Sequence, residues 1–169
     1  MALDPEFLAD CPYAPEGLLL DEILEVDRGR SLLVARMATP EDLPLTRHQR
    51  THPLRHPRHL NGGLIVHLTG MVGFAHAYYV LDLRHREGWI GYGARIHRAR
   101  FGRLAVTGIP LLLRGWATQV RRGPGRLVAR YRFEFLQEEE LVYEGDQTAM
   151  WTRVVEGANG SPTTGTSPA

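Results

Sequence analysis

Apolar and polar positions alternate most clearly over residues 126–137, where Leu127, Ala129, Tyr131, Phe133 and Phe135 interleave with Val128, Arg130, Arg132 and Glu134. A period of two belongs to a strand with one buried face, and Gly123-Pro124-Gly125 supplies a turn before it. Residues 89–101, 109–121 and 141–154 have the same strand character. Residues 17–26 (GLLLDEILEV) and 31–37 (SLLVARM) flank Asp27-Arg28-Gly29-Arg30, which predicts a hairpin around a tight turn.

The pattern changes twice between the hairpin and the later strands. Pro40, Pro44, Pro53 and Pro57 exclude both a helix interior and a central strand, so that stretch is expected to be a loop. From residue 62 to about residue 83 there is no proline, and the length allows roughly five or six helical turns. Leu64, Leu68, Met71, Val72, Ala75, Tyr78 and Tyr79 make one apolar stripe, while Ile65, Gly70, Gly73, Phe74, Ala77 and Leu81 lie opposite. A helix without a polar face must be surrounded. A membrane span has the same pattern, but His67, Thr69, His76 and the interior glycines argue against one.

Two strands, one enclosed helix and four strands of an antiparallel meander predict an α+β domain over residues 13–155, with one long central helix wrapped by a curved sheet. Residues 1–12 are set apart as an N-terminal extension, within which Asp4-Pro5-Glu6-Phe7 matches the translation of joined cloning sites. Residues 156–169, rich in Gly, Ser, Thr and Pro, predict a disordered tail.

Composition narrows the chemistry. With 169 residues and 43% hydrophobic content the chain can build one sizeable core. A net charge of +1, from 20 basic and 19 acidic residues, argues against nucleic acid or an anionic membrane as partner. Every basic side chain is arginine, a type suited to bidentate phosphate contacts but equally a product of compositional bias. Cys11 is the single cysteine, which excludes an internal disulfide and a thiolate zinc site and fits a reducing cytoplasm. The N-terminus lacks the basic and apolar regions of a signal peptide.

The densest chemical signal is THPLRHPRHLNGGLIVH, residues 51–67. Asn61 is suited to cap the helix, and glycines at 62 and 63 let a ligand approach amides that carry the positive end of the helix dipole. A thioester carbonyl resting on the Gly62 and Gly63 amides would be polarised, and an oxyanion formed from it would be held. His67, one turn further on, is a candidate base near neutral pH or a satisfied core histidine. His48, His52, His56 and His59 have a spacing that would gather metal ligands on a helix, but Pro53 and Pro57 prevent that helix, so no metal and no cofactor is expected.

The same loop and helix, with the later ARFGRLAVTGIPLLLRGWATQVRR, resemble the hotdog superfamily of acyl-thioester thioesterases and dehydratases from about residue 12 to residue 151. Long-chain acyl-CoA thioesterases of the mycobacterial FcoT type carry a His-Phe-Asn-Ala motif that His59-Leu60-Asn61-Gly62 resembles, and an early Pro-Tyr that Pro12-Tyr13 resembles. That likeness implies site roles for Tyr13, His59 and Asn61, although Gly70 stands where those enzymes have a second asparagine. In the thioesterases with a histidine-glycine-glycine motif, Asn61 takes the histidine place and Gly70 the carboxylate place. The 3-hydroxyacyl carrier-protein dehydratases place a glutamate on the helix and a histidine in the preceding loop. Aligned on Gly62, His67 takes the glutamate place, and His52 matches the loop histidine only with an insertion.

The resemblance implies hydrolysis of a fatty acyl thioester on coenzyme A or acyl carrier protein, with Asn61, His67 or a loop histidine orienting water. One alternative is dehydration or isomerisation of a 3-hydroxyacyl thioester with His52 and His67 as the acid and base pair. Another is a binding module that lacks the helix carboxylate and holds an acyl thioester without turnover. Arg95, Arg98, Arg100 and Arg103 meet phosphates of coenzyme A or a carrier arm, or form a solvated strand face. Tyr78, Tyr79, Trp89, Tyr92 and Trp116 line an acyl tunnel or are plain core. Hotdog domains pair edge to edge, which implies a homodimer or higher homo-oligomer.

Overall fold

The computed structural model describes residues 2–154; the expected tail lies outside them. Six strands form one antiparallel sheet: β1 (Glu22–Asp27), β2 (Leu32–Met37), β3 (Trp89–Phe101), β4 (Leu111–Gly123), β5 (Arg126–Gln137) and β6 (Glu140–Arg153). The helix α3 (Gly62–Tyr79, 18 residues) packs on one face of the sheet. Two short helices, α1 (Pro5–Asp10) and α2 (Pro15–Leu18), precede the sheet. This is the hotdog arrangement expected above.

Three expectations are corrected. Residues 17–21 are not strand: Pro15 opens α2, Leu18 is fully buried within it, and Leu19 turns the chain out at φ 57°, so β1 begins only at Glu22. The central helix stops at Tyr79 rather than near residue 83, because Asp82 takes a left-handed conformation at φ 59° and Leu83 folds back to bond the Ala77 carbonyl. The last four strands are not a simple meander. The order is β1-β2-β4-β5-β6-β3, with β3 at the far edge beside β6 and β4 paired with β2. Burial explains the placement: β3 is exposed along most of its length, whereas β4 brings Leu111, Leu113 and Gly115 to the core. A strand with so little to bury gains nothing from a central position.

Leu33, Ala35 and Met37 of β2, Leu111 and Leu113 of β4, and the inward row Leu127, Ala129, Tyr131, Phe133 and Phe135 of β5 close over Leu64, Ile65, Leu68, Met71, Val72 and Ala75 of α3. The helix approaches β4 closely at one point: a Cβ on Gly115 would lie 2.6 Å from Val72 Cγ1. Residues 1–12 do not stand apart. Phe7 is buried against Tyr78 and Tyr79, and the Asp10 carboxylate accepts the His85 and Arg86 amides at 2.8 Å. Among the described residues no helix is long and apolar enough to cross a membrane.

Candidate active site

The start of α3 is built from the loop before it. Leu60 donates its amide to the Ala105 carbonyl, and His59 bridges to Val106. The buried Gln137 fixes Val106 in turn, accepting its amide at 3.0 Å and donating to its carbonyl at 2.9 Å. Asn61 caps the helix, its side-chain oxygen accepting the Gly63 amide at 2.8 Å. That bond alters the expected anion site. The Gly63 amide is already satisfied by its cap, so of the two proposed donors only the Gly62 amide is without a partner among the described residues. The Phe101 ring lies beside Gly62, 3.4 Å from where a Cβ would stand.

One turn further along α3 the helix face is open. A cavity of about 520 Å³ lies between α3 and β3, bordered by Tyr13, His67, Gly70, Phe74, Tyr92 and Gln147 among others. The chain before the sheet supplies a wall residue, Tyr13, and a support for His67 from Gly17 of α2. Tyr13 sets its ring edge-on to His67 at 5.8 Å and against Phe74 at 5.6 Å. The Gly17 carbonyl lies 2.7 Å from His67 Nε2, and a carbonyl can only accept, so Nε2 donates, which in the neutral tautomer puts the lone pair on Nδ1. His67 is thus a half-buried imidazole with an oriented ring and one basic nitrogen uncommitted. Gly70 is exposed, and no atom lies within 4 Å of where its Cβ would be.

Tyr13, His67 and Gly70 are therefore brought together, while the other candidates lie elsewhere. His52 Nδ1 accepts the Leu54 and Arg55 amides of its own turn at 3.2 and 3.1 Å. The His59 ring bonds the Pro57 carbonyl at 2.8 Å and stands edge-on to His56. Neither ring borders the cavity. Arg100 extends from the exposed side of β3 to Glu144 at 3.0 Å, a carboxylate shared with Arg98. Among the described residues no group of histidine, cysteine or carboxylate side chains is arranged to hold a metal.

Two polar residues of the cavity escaped sequence reasoning. The Thr69 hydroxyl lies 3.1 Å from the Gln147 side chain, whose other end is 3.1 Å from the Tyr143 hydroxyl. Nothing local marks Gln147, because its role depends on β6 crossing opposite α3. The second helix histidine, His76, is fully buried. Its Nε2 donates to the Ser31 carbonyl at 2.8 Å, and its Nδ1 accepts from Tyr131 at 3.0 Å. Burial lowers its pKa to about 4, against the raising effect of the Ser31 bond, so it is a neutral core residue.

No family model matches the chain. A 3-hydroxyacyl-[acyl-carrier-protein] dehydratase FabZ of Aromatoleum aromaticum is 28% identical over 138 residues, covering 80% of this chain and 92% of its own. The solved thioesterase HI1161 of Haemophilus influenzae superposes with a TM-score of 0.60 at 19% identity, over 94% of this chain and 95% of its own. The PaaI protein of the E. coli phenylacetic acid degradation operon superposes at 0.56 and 14% identity, over 88% and 90%. The chain has the hotdog fold of these two structures. Its resemblance is to hotdog thioesterases and dehydratases together.

Proposed function

We propose that this protein hydrolyses fatty acyl thioesters of coenzyme A or acyl carrier protein. The observation that carries the reading is His67: its Nε2 is held by the Gly17 carbonyl and its ring borders the open cavity beside Gly70. Nδ1 is then the nitrogen that removes a proton from water as the oxygen attacks the thioester carbon. The C–S bond of the tetrahedral intermediate breaks, and the imidazolium returns the proton to the departing thiolate. No covalent intermediate on the protein is required. Tyr13 packs against the ring that does this work.

The oxyanion falls to the Gly62 amide, which lies outside the His67 cavity of its own chain. A homodimer closes the gap. β3 is a sheet edge whose Ile90, Tyr92, Ile96 and Phe101 are between 43% and 54% exposed. Exposed apolar edges of this kind are covered by pairing. Two copies of β3 paired antiparallel about Arg95, the middle of the strand, would set Phe101 of one opposite Trp89 of the other. The Gly62 amide beside Phe101 would then approach the partner's cavity, along which residues 91–96 run.

The test is thiol release by the purified protein from acyl-CoA and acyl carrier protein substrates of graded length. His67→Ala should lower kcat/KM by about 10²–10⁴-fold, the span of a lost general base. Gly62→Val should lower kcat through the lost carbonyl contact. Wild-type release no faster than that of either variant would end the hydrolase reading. The 28% identity to a dehydratase favours a second reading, in which His67 serves at the helix glutamate place. Formation of a conjugated enoyl thioester from a 3-hydroxyacyl substrate would select it.

A further inference from the structure

Behind Gly70 the cavity continues inward. A recess of about 60 Å³ shares Thr69, Gly70, Phe74, Tyr92 and Gln147 with the outer cavity and runs on to Gly73, Tyr131, Phe133 and Trp151. Its volume would hold roughly four water-sized groups. Gly73 of α3 is buried, yet nothing lies within 4 Å of where its Cβ would be, so room beside it is unfilled; the exposed Gly70 and Gly93, which also line the recess, leave its opening equally clear. Trp151 lines the recess. It is 4% exposed, and the nitrogen edge of its indole lies directly against Gly91.

We propose that this recess receives the far end of the acyl group and that Gly73 and Gly93 are the specificity-determining positions that set how long a chain fits. The inference rests on the acyl-thioester reading. It follows from three observations: the base beside the outer cavity, the Thr69–Gln147 pair shared by cavity and recess, and a largely apolar recess lined by Phe74, Tyr131, Phe133 and Trp151. A chain whose carbonyl stands at His67 extends past Gly70 toward Gly73. Atoms beyond the capacity of the recess have no place, so preference should fall off abruptly above one length.

The experiment compares wild type, Gly73→Ala, Gly73→Leu and Gly93→Ala with a series of non-hydrolysable acyl-CoA thioethers for binding, and of acyl-CoA thioesters for turnover. Gly73→Ala replaces a helix glycine at a site with free room, so the variant should fold with an equal or higher Tm. Its longest well-bound acyl group should shorten by one to two carbons, roughly the length of the methyl introduced. Gly73→Leu should weaken the longest well-bound ligand by about 10-fold or more relative to the shortest. Gly93→Ala should act in the same direction from the opposite wall. A length profile unchanged in all three variants would overturn the proposal, even if wild type hydrolyses thioesters. A profile that shortens with no turnover by any form would uphold the recess while removing hydrolysis. Absence of any acyl-CoA binding would remove both.

Discussion

His67 and His76 share one helix, and their surroundings give them opposite characters. His67 faces a cavity with one nitrogen uncommitted, whereas both ring nitrogens of His76 are spent in the core on Ser31 and Tyr131. Burial holds the folded pKa of His76 at about 4 against 6.5 in an exposed chain. Between those values the unfolded chain takes up a proton that the native protein refuses. Stability is therefore full above pH 6.5 and declines as pH falls toward 4. The loss attributable to this residue between pH 7 and pH 5 is about 2 kcal/mol. Urea unfolding at the two pH values should show it, and His76→Gln should flatten that part of the slope. An equal slope in the variant would show that the drop arises elsewhere.

At the scale of the element, α3 depends on its cap and on how closely it meets the sheet. Asn61→Ala removes the acceptor of the Gly63 amide and should cost about 1 kcal/mol in equilibrium unfolding. It should also leave the Gly63 amide without its cap, so a rise in affinity for an anionic ligand alongside the lost stability would identify that amide as competent to bind one. Gly115 is the position where Val72 comes closest. Gly115→Val should therefore destabilise by roughly 1–3 kcal/mol through overpacking, and Val72→Ala should recover part of the loss in the double variant. Additive effects would mean that the two side chains do not meet.

For the molecule as a whole, β3 decides the behaviour. Along this edge Tyr92 and Ile96 are exposed and border the cavity, while Arg98 and Arg100 are tied to Glu144 of β6. Sedimentation should give twice the chain mass for wild type, and Ile96→Arg, which sets charge against charge across a two-fold pairing, should shift it toward the single-chain mass. If the edge completes the site as proposed, turnover per chain in that variant should fall with dilution. A wild-type chain sedimenting at its own mass would remove both the pairing and the shared oxyanion contact.

The sequence by itself determined the six strands and the central helix with most of their boundaries, but not α1 and α2. The two-residue period of β5, the prolines between β2 and α3, and Asn61 before a glycine pair are local signals, set by backbone geometry within a few residues. It also singled out Tyr13, His67 and Gly70 as site candidates, though not the cavity that unites them. Only the tertiary structure decided that β3 crosses to the far edge, that the Gly63 amide is consumed by its own cap, and that His52 turns into its own loop. Gln147 opposite Thr69 and Gln137 beneath Val106 belong to the same group. Such contacts join residues tens of positions apart, so their partners are chosen by strand order and register, which no local period along the chain encodes.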